Sequence, residues 1–261
     1  LAWRGPASEA PAPLQGLVAA AEATWRHLAA APAGLGVSLR SDLAPGRGLG
    51  SSAAAAVALG RAIAAHHPRD LPIDPVLPLP AGAERHAHGN PSGLDAAAVA
   101  WGTPVWFQRG QAPLPIAVGG PFHFVVADTG RARQTRLAVA AVARRLQDTP
   151  EAAHQAIATL GDLAGGCRSA LATGDPLAMG AYMDMAQREL ETLGVSSPEL
   201  ETLIRAARRA QAHGAKLTGA GMGGCILALA ADPEHQAALA SALKAAGADL
   251  ALPLTLERDP S

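Results

Sequence analysis

Two adjacent serines, Ser51 and Ser52, open an alanine-rich run and follow a glycine-dense turn, Pro45-Gly46-Arg47-Gly48-Leu49-Gly50. Glycine has no Cβ, so such a turn folds tightly and lets the main chain come close to a bulky anion. If the alanine run is a helix, its first N–H groups are unpaired and its start carries partial positive charge. Turn and helix start would together form a phosphate cradle. The two hydroxyls could bond phosphate oxygens or a phosphate-bound Mg²⁺. An ordinary loop with a serine N-cap explains the same residues. No lysine follows the last glycine, so this is not a Walker A loop.

Glu84 precedes a second dense run, His88-Gly89-Asn90-Pro91-Ser92-Gly93-Leu94-Asp95. Phosphoryl transfer uses acidic groups for two tasks: one holds Mg²⁺ against the phosphates, another orients or deprotonates the attacking hydroxyl. Glu84 and Asp95 could be that pair, brought together by the turn over 90–93. Equally, Asn-Pro-Ser-Gly is a good turn by itself and Asp95 could cap a helix. His86 and His88 are two apart, face different ways on a helix and make a poor metal pair. They read as structural residues or loop anchors.

A third run, Lys216-Leu217-Thr218-Gly219-Ala220-Gly221-Met222-Gly223-Gly224-Cys225, has four glycines in six positions. Glycine weakens a strand, so this density implies a backbone pressed against a neighbour or a ligand. A flexible hairpin is the alternative, although the glycines are too dense for a simple two-residue turn.

The elements that must position these runs follow from period and punctuation. Leu17, Ala21, Trp25 and Leu28 form one stripe of a helix over 14–31. Alternation predicts a strand over 36–43, with Val37, Leu39 and Leu43 against Ser38, Arg40 and Asp42. The alanine helix runs from Ser51 to about His66, and a proline-studded connection spans 68–80. Short helices are expected over 81–88 and 95–100. Strands are expected over 103–108 and 121–128, with a domain boundary in the loop 109–120. Helices follow over 133–146, 150–172, 176–193 and 198–213. Strands over 215–218 and 225–230, a helix over 233–246 and a strand over 250–256 complete the chain. Strands mixed with segregated helices argue for an α+β fold rather than regular βαβ winding.

Composition narrows the partners. The 261 residues can bury a substantial core, but with 49% hydrophobic residues and only 3% aromatic, that core is built from alanine and small aliphatic side chains. A net charge of −1 gives no electrostatic case for nucleic acid or an anionic membrane. There is no charge-free apolar run of about 18 residues, so no membrane span is expected. Cys167 and Cys225 fit neither a metal nor a disulfide pattern and read as two buried thiols.

Pro45 to Ala54 resembles the second signature of the GHMP kinases, a proline followed by Gly-Leu-Gly-Ser-Ser-Ala. The stretch from Glu84 through His88-Gly89-Asn90-Pro91-Ser92-Gly93-Leu94-Asp95 is similar to the mevalonate kinase subgroup of that family. The run over 216–225 resembles the third GHMP signature, with Met222 where that subgroup usually has glycine. Asp128-Thr129-Gly130, Arg133 and Thr135-Arg136 resemble the segment after the domain crossover, and Met183 to Pro198 resembles a helix and turn of the subgroup.

The resemblance implies a two-domain α+β fold with its active site in the cleft between domains. A ribosomal protein S5 domain 2-like N-terminal domain would cover 1–115 and a ferredoxin-like C-terminal domain 116–261. It implies ATP bound by Gly46, Gly48, Leu49, Gly50, Ser51, Ser52 and Gly221, and Mg²⁺ held by Ser52 and Glu84. Asp95 would be the catalytic aspartate, and His88, Thr135, Gly219 and Ala220 would contact mevalonate. The implied activity is mevalonate phosphorylation in cytoplasmic isoprenoid precursor synthesis, by an enzyme that could be a homodimer. Alternatives are another GHMP kinase, acting on a phosphomevalonate or a sugar, or a non-catalytic nucleotide- or metabolite-binding relative. The family's first signature, a lysine-bearing N-terminal hairpin, is not recognisable over 1–32. Because the sequence begins at Leu1 rather than Met, a preceding segment is expected to supply it.

Overall fold

The computed structural model describes residues 9–29, 36–41, 49–66 and 93–259. The expected connection over 68–80 and helix over 81–88 lie outside the described residues. The chain divides into two compact units, the second running from Ile116 to the C-terminus.

In the first unit, α1 (Ala12–His27) packs on α2 (Ser51–His66) through small residues. Ala20 and Ala56 are fully buried against each other, and Ala21, Leu28, Leu59, Ile63 and Ala64 form a separate buried cluster. Alanine has no rotamer freedom to lose, so such a seam orders at little entropic cost. The stripe read from the sequence is the face of α1 that joins this cluster, with Leu17 and Trp25 at its margin. A third helix, α3 (Leu94–Trp101), starts after a left-handed Gly93 (φ 84°) and stops at a left-handed Gly102 (φ 65°). Arg61, the charge that interrupts the alanine run, donates from Nη2 to the Ala100 carbonyl at 2.7 Å. It thereby satisfies one of the carbonyls that a helix end leaves without a partner.

Two strand expectations change here. The strand over 103–108 is only β1 (Val105–Trp106), and its antiparallel partner β2 (Leu114–Pro115) arises inside the expected boundary loop. Residues 36–41 form no ladder among the described residues, and Val37 and Leu39 are exposed. Alternation makes a strand only where a neighbouring edge accepts its hydrogen bonds and its apolar face finds cover.

The second unit holds β3 (Phe122–Asp128), α4 (Thr135–Asp148), α5 (Pro150–Thr173), α6 (Pro176–Thr192) and α7 (Pro198–Arg209). It continues with β4 (Gly214–Leu217), β5 (Cys225–Ala230), α8 (Pro233–Ala245) and β6 (Leu250–Leu256). Its strands form one antiparallel sheet in the order β4-β5-β3-β6. Counted within the unit, that order is second, third, first, fourth. Two strand–helix–strand arms interleave, which is the ferredoxin-like arrangement.

Strand alternation then assigns two faces. Val125, Ala127, Leu217, Ile226 and Ala228 meet Leu200, Leu203 and Ile204 of α7 and Leu239 and Leu243 of α8. Phe122, Phe124 and Leu229 meet Ala170 of α5 and Met179 and Met183 of α6. The helix α6 touches β4 backbone to backbone. A Cβ on Gly214 would strike the Gly180 carbonyl oxygen, and one on Gly180 the His213 carbonyl oxygen.

Candidate functional site

In the first unit the glycine turn ends at Gly50, which has φ 71°. The first helical N–H to find a main-chain acceptor is that of Ala54, on the Gly50 carbonyl at 2.8 Å. The N–H groups of Ser51, Ser52 and Ala53 therefore have no main-chain acceptor among the described residues. The first turn of α2 contains no acidic residue to neutralise them. This suits a polyphosphate anion. Ser52 is exposed and offers a hydroxyl oxygen of the kind Mg²⁺ accepts. Glu84, the other expected metal ligand, lies outside the described residues, as do His88, Gly46 and Gly48.

Asp95 is exposed in the first turn of α3. A Cβ placed on Gly50 would lie 3.9 Å from Cγ2 of Val99. Val99 is one turn after Asp95 on the same helix face. The fold thus brings Gly50, and with it Ser51 and Ser52, beside the face of α3 that carries Asp95.

The second unit holds the other glycine run. Asp128 pairs with Cys225, so the exit of β3 and the β4–β5 connection share one end of the sheet. The loop is fixed from three sides. Gly224 donates to the Arg131 carbonyl at 2.9 Å, while its own carbonyl accepts from Thr129 N (3.0 Å) and Oγ1 (2.8 Å). Met222 donates to the Val195 carbonyl at 2.8 Å. At the loop's entry, the Leu217 N–H donates to Oε1 of the fully buried Gln187 at 2.9 Å.

Gly219, Gly221, Gly223 and Gly224 all have positive φ, and so does Met222 at 55°. The left-handed conformation explains why glycine is usual where Met222 stands, since a side chain there costs about 1–2 kcal/mol. Gly221 is required by packing, because a Cβ would collide with the Val195 carbonyl oxygen. Gly219 is exposed and Ala220 half-buried, while Thr135 is exposed at the first position of α4.

The sequence resemblance covered Gln187 and Val195 within Met183 to Pro198 but did not show that they support this loop. Gln187 offers Nε2 to Glu201 Oε1 (2.9 Å), Glu191 Oε1 (3.2 Å) and Ser196 Oγ (3.3 Å), and Ser196 Oγ also bonds Glu201. A glutamine inside an amphipathic helix gives no local sign of such a role. Lys216, beside it on β4, donates from Nζ to the Leu217 carbonyl at 2.7 Å. Burial pushes its amine below the ordinary value, opposed by Cys167. Burial likewise pushes the Cys167 thiol up, opposed by Lys216. Neither cysteine forms a disulfide, and Cys167 is half-buried rather than enclosed.

Comparison with known proteins places this architecture. The domain family "GHMP kinases N terminal domain" matches residues 16–103, and "GHMP kinases C terminal" matches residues 167–249. The chain belongs to the GHMP kinase family. The relatives it resembles within that family include mevalonate kinases. That of Aeropyrum pernix is 36% identical over 209 residues, covering 80% of this chain and 64% of the relative. The human enzyme is 30% identical over 224 residues, covering 75% of this chain and 54% of the relative. The chain therefore spans less than two thirds of the length of these relatives.

Among solved structures, L. major mevalonate kinase in complex with R-mevalonate superposes with a TM-score of 0.82 at 27% identity. That match covers 96% of this chain and 79% of the other. Mevalonate kinase from methicillin-resistant Staphylococcus aureus is 31% identical, with a TM-score of 0.60, covering 82% and 68% respectively. Among the described residues no helix is long and apolar enough to cross a membrane.

Proposed function

We propose that this chain transfers the γ-phosphoryl group of ATP to the 5-hydroxyl of mevalonate, giving 5-phosphomevalonate and ADP. The observation that carries the reading is the juxtaposition of Gly50 with Val99, which sets an acid-free helix start beside the face of α3 bearing Asp95. A phosphate cradle next to an exposed carboxylate is what phosphoryl transfer to an alcohol requires. The similarity to mevalonate kinases supports the choice of alcohol.

Under this reading residues 1–115 form the nucleotide-binding domain and 116–261 the second domain. Main-chain N–H groups of Gly46, Gly48, Leu49, Gly50, Ser51 and Ser52 hold the triphosphate, and Gly221 is a further ATP-binding residue. Ser52 and Glu84 would hold Mg²⁺, which neutralises charge on the phosphate oxygens. Asp95 orients the 5-hydroxyl and takes its proton as that oxygen bonds to phosphorus and the bond to ADP breaks. His88, Thr135, Gly219 and Ala220 position mevalonate. We place the reaction in the cytoplasm, in isoprenoid precursor synthesis. The partner is a small molecule rather than nucleic acid or membrane, and the assembly is open to a homodimer.

The test is ADP formation by the full-length polypeptide with ATP and Mg²⁺, offered mevalonate, phosphomevalonate or a sugar. Dependence on mevalonate alone is expected. Turnover with one of the others instead overturns the substrate, and no turnover with any of them overturns the enzyme in favour of a nucleotide- or metabolite-binding relative.

A further inference from the structure

The helix that carries Asp95 has little packing of its own. Helix α3 is eight residues long, and of these Ala96 is buried while the rest are half-buried or exposed. A helix this short is marginal in water and takes its direction from what holds it. The negative end of a helix dipole favours a cation, yet the last turn of α3 has no basic residue. Arg61 supplies that charge from α2, donating from Nη2 to the Ala100 carbonyl at 2.7 Å.

Two contacts therefore orient α3. Val99 lies against the turn before α2, where a Cβ on Gly50 would be 3.9 Å from its Cγ2. The next residue, Ala100, is held by Arg61. A short rod touched at one point can pivot, and a second point fixes its direction. Asp95 is one turn before Val99, so a pivot there swings its carboxylate relative to Ser51 and Ser52. Arg61 is exposed, so its bond adds little to the stability of the whole chain. We propose that Arg61 is a positioning residue for phosphoryl transfer, holding α3 so that the Asp95 carboxylate stays directed at the phosphate cradle. This rests on the kinase reading and adds to it a residue whose backbone is about 15 Å along α2 from Ser51.

The experiment measures mevalonate-dependent ADP formation by the full-length polypeptide as wild type, Arg61→Met and Arg61→Lys, each with Asp95 intact and as Asp95→Asn. Methionine keeps the apolar stem and removes the charged donor. Misplacing a catalytic group by about 1 Å can cost a hundredfold, so kcat of Arg61→Met should fall roughly tenfold to a hundredfold. KM for ATP and for mevalonate should stay within about twofold, because ground-state binding is untouched. Lysine should recover part of the loss, since it keeps the charge and a donor. In the Asp95→Asn background the methionine substitution should change the residual turnover by less than about twofold, there being no base left to misplace. A merely structural arginine would lower turnover by the same factor in both backgrounds. That result overturns the proposal, as does a kcat within about twofold of wild type or a loss carried by KM.

If wild type phosphorylates no alcohol, the kinase reading has failed on its own. Hydrogen exchange over 96–102, read by mass spectrometry, then decides separately whether Arg61 holds α3. Faster exchange there in Arg61→Met than in wild type supports the tether, and equal exchange overturns it.

Discussion

Replacing Gln187 by methionine keeps the length and volume of the side chain while removing one acceptor and both donors. The consequence can be worked from its partners. The Leu217 N–H, on a residue with no exposed surface, loses its acceptor at 2.9 Å and is left unpaired. A buried donor in that condition costs about 1–3 kcal/mol. The Glu201 carboxylate loses a 2.9 Å bond but keeps the Ser196 hydroxyl, which adds about 1 kcal/mol. Burial of the apolar thioether in place of an amide returns about 1 kcal/mol. The net destabilisation is about 1–3 kcal/mol, concentrated where β4 enters the glycine loop. Hydrogen exchange read by mass spectrometry over 213–224, with a urea titration of the whole chain, measures both the size and the place. Protection of the Leu217 amide should fall by the same free energy. A loss below about 0.5 kcal/mol, or unchanged protection at Leu217, would refute the reasoning.

Three further outcomes follow from local geometry. Gly214→Ala should cost at least about 3 kcal/mol, measured by urea denaturation, because the added Cβ meets the backbone of Gly180, which cannot swing aside. Met222→Gly should be more stable than Met222→Ala by about 1 kcal/mol in the same assay, since both lose the methionine packing but only alanine keeps the left-handed strain. The third concerns alkaline pH. Lys216 is held below its ordinary value of 10.5 in the folded chain, so the unfolded chain binds its proton more readily and stability rises as pH approaches 10.5. Cys167 acts oppositely, because its folded value is raised above 9.0 and its contribution is lost as pH passes through that raised value. Lys216→Met should therefore leave only the alkaline loss, and a urea midpoint that still rises towards pH 10.5 would contradict the assignment.

The starts of α5, α6, α7 and α8 were legible to the residue, and the reason is punctuation, whereas α4 lies over 135–148 rather than 133–146 and α7 ends at Arg209 rather than at 213. Proline occupies the first turn of α5, α6, α7 and α8. Asp175, Ser197 and Asp232 cap three of them, accepting from the N–H groups of Ala178, Leu200 and His235. A proline at the first helical position and a capping oxygen before it are local signals. The strands over 122–128, 225–230 and 250–256 were likewise readable, being long apolar runs bounded by turns. The hairpin β1–β2 was not, because two-residue strands have no period to detect. Nor did alternation over 36–43 produce pairing within 36–41, since pairing depends on an edge elsewhere in the chain. The same limit applies to the site. Ser51, Ser52, Asp95 and the glycine run stood out by type and spacing. The supports Gln187 and Val195 act across long stretches of sequence, so the resemblance of Met183 to Pro198 marks their segment but not what they touch.

The measurement that bears most directly on the account is mevalonate-dependent ADP formation in the Asp95→Asn variant, alongside its affinity for ATP. Asparagine keeps the shape of the exposed side chain on α3 but cannot accept the hydroxyl proton. ATP affinity should stay within about twofold of wild type, while turnover falls by a hundredfold or more, the usual range for losing a positioned base. Turnover close to wild type in Asp95→Asn would contradict the claim that this carboxylate serves the transfer.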